Sequence, residues 1–182
     1  MPCGAGVQAG PFHSQTNEAW FTKTPGLKVV YPAFPKDAKG LLATAINDSN
    51  PVLFFEHKAL YRSVYQDVPV DYYTIPFETL TGLPHVSADL LDLRTLVPLD
   101  IEAVYASVKR TNKLIILQED SLFGGIASDI AAAVMENCFE FLDGPIKRVA
   151  SLDTPIPFAK TLEDNYLPKE RFKKELLNLL AY

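Results

Sequence analysis

Residues 27–56 read LKVVYPAFPKDAKGLLATAINDSNPVLFFE, and their reading decides the fold. LKVVYP is a short apolar run stopped by Pro32, the pattern of a buried strand. Pro35 can open a helix, because a missing N–H costs nothing in the first turn. Leu41, Leu42 and Ala45 then supply an apolar face through about Ile46. DSNP ends that helix, and VLFFE follows as a second strand. Strand, helix and strand in this order predict a right-handed βαβ crossover and a parallel sheet.

On the N-terminal side, residues 1–26 are rich in Gly, Pro and polar residues. They read as loop around a short helix at residues 16–21. On the C-terminal side the pattern weakens: SVYQDVPVDYYTIPF, with two prolines and several tyrosines, reads as an inter-domain linker. SADLLDLRTL predicts one strand running into a loop at Pro98. DIEAVYASVKRT predicts a helix capped by Asp100, with Ile101, Val104, Tyr105 and Val108 on one face. KLIILQE is nearly continuous apolar sequence, typical of a strand covered on both faces. Residues 126–142 predict a helix with Ile126, Ile130, Val134, Cys138 and Phe141 near one side. IKRVAS is another strand, and KERFKKELLNLLAY a closing amphipathic helix. The predicted class is α/β: two three-layer units with mainly parallel sheets.

Composition narrows the functions. Of 182 residues, 48% are hydrophobic and 21% charged, enough apolar sequence for a sizeable core. A formal net charge of -5 disfavours nucleic acid as a partner, since phosphate binding draws on clustered Lys and Arg. No apolar run approaches the roughly 20 residues that span a bilayer. The start, MPCGAGVQAGPF, lacks the basic and apolar regions of a signal peptide. Cys3 and Cys138 share no metal-ligand or disulfide spacing and read as buried or half-buried thiols in a reducing cytoplasm.

Several motifs could carry chemistry. GAGVQAG (residues 4–10) does not match G-x-G-x-x-G and reads as a flexible loop rather than a dinucleotide site. FGGIASDI places Gly124 and Gly125 in a βα turn whose amides could hold an anion, although glycines there more often serve backbone geometry. Glu119 and Asp120 end a strand, where ligands gather in open α/β sheets, but a solvated turn is the simpler reading. His57 and His85 read as surface histidines. His13 keeps different company: Ser14, Gln15, Thr16 and Asn17 could hold its tautomer, and Phe12 and Trp20 could exclude water. An imidazole so placed suits proton transfer near neutral pH. Local chemistry alone still reads it as a turn residue. Asp48 and Asn50 gather oxygen donors at a helix end whose carbonyls also point outward, a corner that could hold a cation, although a polar helix stop before a strand is the simpler reading.

GPFHSQTNEAWFTKTPGLKVVYPAFPKDAKGLLATAINDSNPVLFFEHKALYR closely resembles the beta chain of thiamine-diphosphate-dependent 2-oxo acid dehydrogenases. It matches the second half of that chain's pyrimidine-binding domain. DLLDLRTLVPLDIEAVYASVKRTNKLIILQED and PIKRVASLDTPIPFAKTLEDNYLP resemble the same family's transketolase-type C-terminal domain. The resemblance covers almost the whole chain. QEDSLFGGIASDIAAAVMENCFEFLDGP and LLNLLAY look most like bacterial versions in which alpha and beta portions are fused. Branched-chain (2-oxoisovalerate) enzymes are nearest, and pyruvate enzymes are close.

The resemblance implies a layout and a set of roles. Residues 1–62 would be the second half of the pyrimidine-binding domain, 63–77 a linker, and 78–182 the transketolase C-terminal-like domain. His13 matches the family histidine near the reactive carbon of thiamine diphosphate, associated with proton handling and acyl transfer to the lipoyl group. Ala45 (through its carbonyl), Asp48 and Asn50 match positions that bind a monovalent cation, usually potassium. Partners would be an alpha subunit or alpha portion, a second copy of the beta portion, and the basic subunit-binding domain of the lipoyl acyltransferase. An acidic chain suits the last. The cofactor would be thiamine diphosphate with Mg, and the location the bacterial cytoplasm.

The departures are equally specific. The family's pyrimidine-activating glutamate lies upstream of MPCGAG, and the diphosphate and magnesium motif belongs to the alpha portion. No residue of this chain is therefore expected to bind the cofactor itself. A segment that normally opens the C-terminal domain is missing between Phe77 and Glu78, and Met1 resembles an internal methionine. Two further readings stand beside the enzyme: a non-catalytic fragment that dimerises and docks the acyltransferase, and a flavodoxin-like domain that binds a small ligand.

Overall fold

The computed structural model describes residues 1–77, 81–83 and 88–182. The N-terminal part contains strand β1 (Pro2–Cys3), the single-turn helices α1 (Gly10–His13) and α2 (Ala19–Thr22), strand β2 (Lys28–Val30), helix α3 (Pro35–Asn47), and strands β3 (Val52–Phe54) and β4 (Glu56–His57). β2 and β3 pair in parallel, Lys28 opposite Val52 and Val30 opposite Phe54, with α3 between them in sequence. The crossover read from residues 27–56 is present. The buried stripe of α3 differs from expectation, running through Asp37, Gly40 and Leu41 while Leu42 turns outward.

What the sequence presents as a linker is a strap laid along α3. The Ile75 amide donates to the Gly40 carbonyl at 3.2 Å, and the Tyr73 hydroxyl donates to the Lys36 carbonyl at 2.7 Å. The Lys39 ammonium reaches the carbonyls of Val70 and Asp71 at 3.0 and 2.9 Å. Gly40 makes this approach possible, since a Cβ there would sit 2.6 Å from the Ile75 side chain.

Beyond the strap, β5 (Thr81–Leu83) pairs antiparallel with β6 (Leu90–Asp92). The chain then turns at Arg94, whose φ is +54°, and β7 (Thr95–Val97) joins β2 antiparallel. The single strand expected over residues 87–96 is thus two strands. The second belongs to the N-terminal sheet, in the order β3-β2-β7. A buried ion pair fixes the turn: the Arg94 guanidinium donates to Asp37 Oδ1 at 2.8 Å, in the first turn of α3. His85 and the junction after Phe77 involve residues outside those described.

The C-terminal part follows with α4 (Ile101–Thr111), β8 (Ile115–Ser121), α5 (Ala127–Cys138), β9 (Lys147–Ser151), α6 (Lys160–Tyr166) and α7 (Lys169–Leu180). Asp100 caps α4 as expected, its Oδ1 accepting the Ala103 amide at 3.1 Å. Val104 and Val108 of α4 pack on Ile130, Val134 and Cys138 of α5, and β8 pairs in parallel with β9. β8 is half-buried with Leu117 turned outward, rather than covered on both faces. α6 is an element that the apolar pattern did not announce. Both cysteines are free and buried. Among the described residues no helix is long and apolar enough to cross a membrane.

Candidate functional site

The glycine-rich segment after β1 is where the two halves of the chain meet. Pairing of β1 with β4 sets Cys3 opposite His57, so the segment starts against that imidazole. Gly4 has φ +92°, and a Cβ there would lie 2.5 Å from the His57 ring. Only glycine combines that backbone with that neighbour. The amides that follow are taken by carboxylates from the C-terminal part. Ala5 N–H donates to Glu119 Oε1 at 2.7 Å, while Gly6 and Gln8 N–H donate to Glu163 Oε1 at 3.1 and 3.2 Å. Gln8 N–H also lies 3.2 Å from Glu163 Oε2.

GAGVQAG is therefore a pinned loop whose amides hold internal anions, in place of the flexible loop that its composition suggests. Glu119, read from the sequence as part of a solvated turn, sits in this junction. Its other oxygen meets His57 Nε2 at 2.6 Å. Because a carboxylate only accepts, Nε2 must carry the proton in that bond. His57 is half-buried, lies against the Tyr31 ring, and is no free surface histidine. The second glycine motif behaves similarly: Asp153 Oδ1 accepts the amides of Leu122 and Phe123 at 2.9 and 3.3 Å, ahead of Gly124 and Gly125.

Burial tunes the groups around this junction. Glu18 is 6% exposed, its Oε2 has no partner, and burial raises its carboxyl to a pKa of about 7. The neighbouring charges of Asp120 and Glu119 push the same way. Burial likewise pushes the Cys3 thiol up to about 11, although Cys3 Sγ donates to the Tyr31 hydroxyl at 2.9 Å. Cys3 is thus no nucleophile at neutral pH. Beyond His57 a cleft of about 370 Å³ is lined by Phe34, Leu42, Phe55, Leu60 and Tyr61.

His13 closes α1, just past the pinned loop, and its side chain is exposed. None of Ser14, Gln15, Thr16 or Asn17 bonds its ring, and Phe12 and Trp20 are 85% and 67% exposed. The polar and apolar neighbours expected around His13 therefore do not enclose it within this chain. The second sequence-named set is gathered at the end of α3. Asp48 Oδ1 accepts the backbone and side-chain N–H groups of Asn50 at 2.8 and 3.2 Å, and the Ala45 carbonyl accepts the Asp48 amide at 3.4 Å. Asp48 also pairs with the Lys28 ammonium. Lys28, and then Asn50, hold the Asp48 carboxyl below the usual range. The donors fit an oxygen-preferring monovalent cation in kind, with the Lys28 ammonium as its competitor.

Sequence reasoning missed Glu163 and undervalued Glu119. The only local signal for Glu119 was its place at a strand's carboxyl end, and for Glu163 there was none. Their bonds to the loop span 157 and 114 residues of chain.

Comparison with known proteins fits this junction of two parts. Residues 1–64 match the transketolase pyrimidine binding domain, and residues 78–171 match the transketolase C-terminal domain. The chain is 41% identical over 194 residues to the 2-oxoisovalerate dehydrogenase subunit beta 2 (mitochondrial) of Arabidopsis thaliana, covering 92% of this chain and 54% of that one. It is 43% identical to the acetoin:2,6-dichlorophenolindophenol oxidoreductase subunit beta of Bacillus subtilis (91% and 56%). It is 36% identical to the pyruvate dehydrogenase E1 component subunit beta of Rickettsia felis (100% and 64%). That last alignment runs over 208 positions for the 182 residues of this chain, so the relative has residues where this chain has none. The chain spans 54–64% of the length of these relatives. In fold it resembles a split-gene transketolase described as an inactive beta4 tetramer, with a TM-score of 0.73 over 98% of this chain and 65% of that one, at 18% identity. A pyrimidine-binding-domain match at the front and a C-terminal-domain match over more than half the chain place it in the transketolase family, with similarity to beta subunits that include those of 2-oxoisovalerate and pyruvate dehydrogenases.

Proposed function

We propose that this chain is part of the decarboxylating component of a 2-oxo acid dehydrogenase complex, working with an alpha subunit or alpha portion and a second beta portion. Its similarity to beta subunits of 2-oxoisovalerate and pyruvate dehydrogenases supports the reaction class. A branched-chain 2-oxo acid is our preferred substrate. The observation that carries a role for this chain is His13: an exposed imidazole with no partner among the described residues, in a segment that also exposes Phe12 and Trp20 and follows a pinned loop. Another protein surface laid over those aromatics would exclude water from His13 and leave it able to move a proton.

Thiamine diphosphate, when bound, supplies the electron sink for loss of carbon dioxide, and its Mg-diphosphate end would be held by the alpha portion. His13 would act at the rim, donating or accepting a proton as the acyl group passes to the lipoyl sulfur. Changing His13→Ala in the complete enzyme should lower lipoyl acylation about 100-fold, the ordinary scale of general acid–base catalysis, and leave cofactor affinity nearly intact. Unchanged overall turnover would overturn the assignment.

The finer reading of the α3 corner is a potassium site formed by the Ala45 carbonyl, Asp48 and Asn50. Exchanging potassium for tetramethylammonium should then lower the Tm of the complete enzyme. An unchanged Tm would mean that Lys28 alone neutralises the corner. The alternative function is a non-catalytic piece that dimerises and docks the acyltransferase's subunit-binding domain. Binding of thiamine diphosphate by the isolated 182-residue chain would count against it.

A further inference from the structure

His13 has a proposed task but no side-chain partner among the described residues, so it is its backbone that fixes where the imidazole points. That backbone is α1, a single turn, and a single turn is too short to hold itself in place. What precedes α1 is the loop of residues 4–9, with left-handed φ values of +85° at Gly6 and +56° at Gln8. These conformations turn successive amides toward one side, where an acceptor must meet them.

The acceptor is Glu163, and its burial needs a reason. The residue is 2% exposed, and its carboxylate is bonded to the Gly6 and Gln8 amides. The nearby Lys160 ammonium is engaged with Asp164, away from it. Burying an anion is expensive unless donors are fixed around it, and a carboxylate can accept at both oxygens where a carboxamide accepts at one. The same stretch of chain grips the loop again five residues earlier, where the Phe158 ring packs against Gly10, the first residue of α1. The start of α1 is thus held from residues 158–163 of the C-terminal part.

We propose that Glu163 is a positioning residue for His13: by holding the Gly6 and Gln8 amides it sets the start of α1, and with it the direction of the imidazole. This inference rests on the reading of His13 given above. In the complete enzyme, Glu163→Gln keeps the shape but turns a donor toward an amide. It should lower the kcat of lipoyl acylation about tenfold and leave KM for the 2-oxo acid within twofold. Because the effect passes through His13, adding His13→Ala should cause no loss beyond that of His13→Ala alone, whereas an unrelated structural defect would multiply. Wild-type kcat in the Gln variant, or multiplied losses in the double variant, would overturn the proposal. Should the Gln variant unfold, Glu163→Asp is read instead: it keeps the charge, withdraws it by one methylene, and must also lower kcat.

A second readout separates this inference from the functional reading. The chain has three histidines, and the His13 Cε1–H resonance is identified by its loss in His13→Ala. That resonance should shift in Glu163→Gln whether or not His13 proves catalytic. No shift sinks the positioning role. A shift together with unchanged turnover in His13→Ala sinks only the catalytic reading.

Discussion

His57 and His13 stand at the two ends of one glycine-rich loop and are held in opposite ways. His57 meets a carboxylate at 2.6 Å, lies against Tyr31 and backs onto Gly4. His13 has an exposed ring with no partner among the described residues, and only the loop behind it is fixed. A histidine with its proton committed to a carboxylate holds two parts of a chain together. A histidine with free nitrogens on a fixed backbone is available for chemistry. The contrast reverses what local sequence suggested, since the polar company of His13 looked like its support and the acid partner of His57 looked like a solvated turn.

The largest test of this contrast removes the clamp on the His57 side. Glu119→Ala leaves the Ala5 amide and the His57 Nε2–H without their acceptor. Each stranded donor costs about 1–3 kcal/mol, and water reaches part of this junction, so a loss of about 3 kcal/mol is expected. Urea unfolding of the purified chain measures it. A loss below about 1 kcal/mol would mean that the junction is not what joins the two parts.

A medium effect tests the buried charge beside the clamp. The folded-state pKa of Glu18 is raised from 4.5 to about 7, by burial first. The folded state therefore holds this proton more tightly than the unfolded chain does. Its contribution is full below about pH 4.5, falls as the pH rises through 7, and is flat above. At about 1.4 kcal/mol per pH unit the whole swing is about 3.5 kcal/mol, of which about 2 kcal/mol falls between pH 5 and 7. Asp120, also raised by burial, adds in the same direction. Glu18→Gln should flatten the fall in stability between pH 5 and 7, so the variant gains on the wild type as the pH rises. Parallel curves for the two proteins would place the titration elsewhere.

How much of this was legible depends on the distance between partners. The βαβ unit of residues 27–56 was readable because Pro32, Pro35 and the DSNP stop act on their own neighbours. The α4 helix was readable because Asp100 caps it three residues away and Val104 and Val108 repeat at helical spacing. His13, Asp48 and Asn50 were named by a family resemblance carried by the motifs around them, where local chemistry alone read a turn and a helix stop. The sequence hid the break at Arg94, because the left-handed turn there is settled by Asp37, 57 residues earlier. It hid the pinning of GAGVQAG for the same reason. A run of glycines looks the same whether its amides face water or a carboxylate far along the chain. α6 escaped because its one buried acid, Glu163, breaks the apolar pattern that announces a helix.

The smallest effect is the sharpest test of the comparison. His13→Ala should change unfolding free energy by no more than about 0.5 kcal/mol, as for a surface side chain without partners. The Gly6 and Gln8 amides keep their bonds to Glu163 in that variant, so nothing behind the ring is disturbed. A loss of about 1 kcal/mol or more would mean that the imidazole supports its own turn, as local chemistry alone had it. Near-zero cost together with impaired lipoyl acylation would mean that His13 adds nothing to the fold and serves the reaction, while His57, packed against the other end of the same loop, does the reverse.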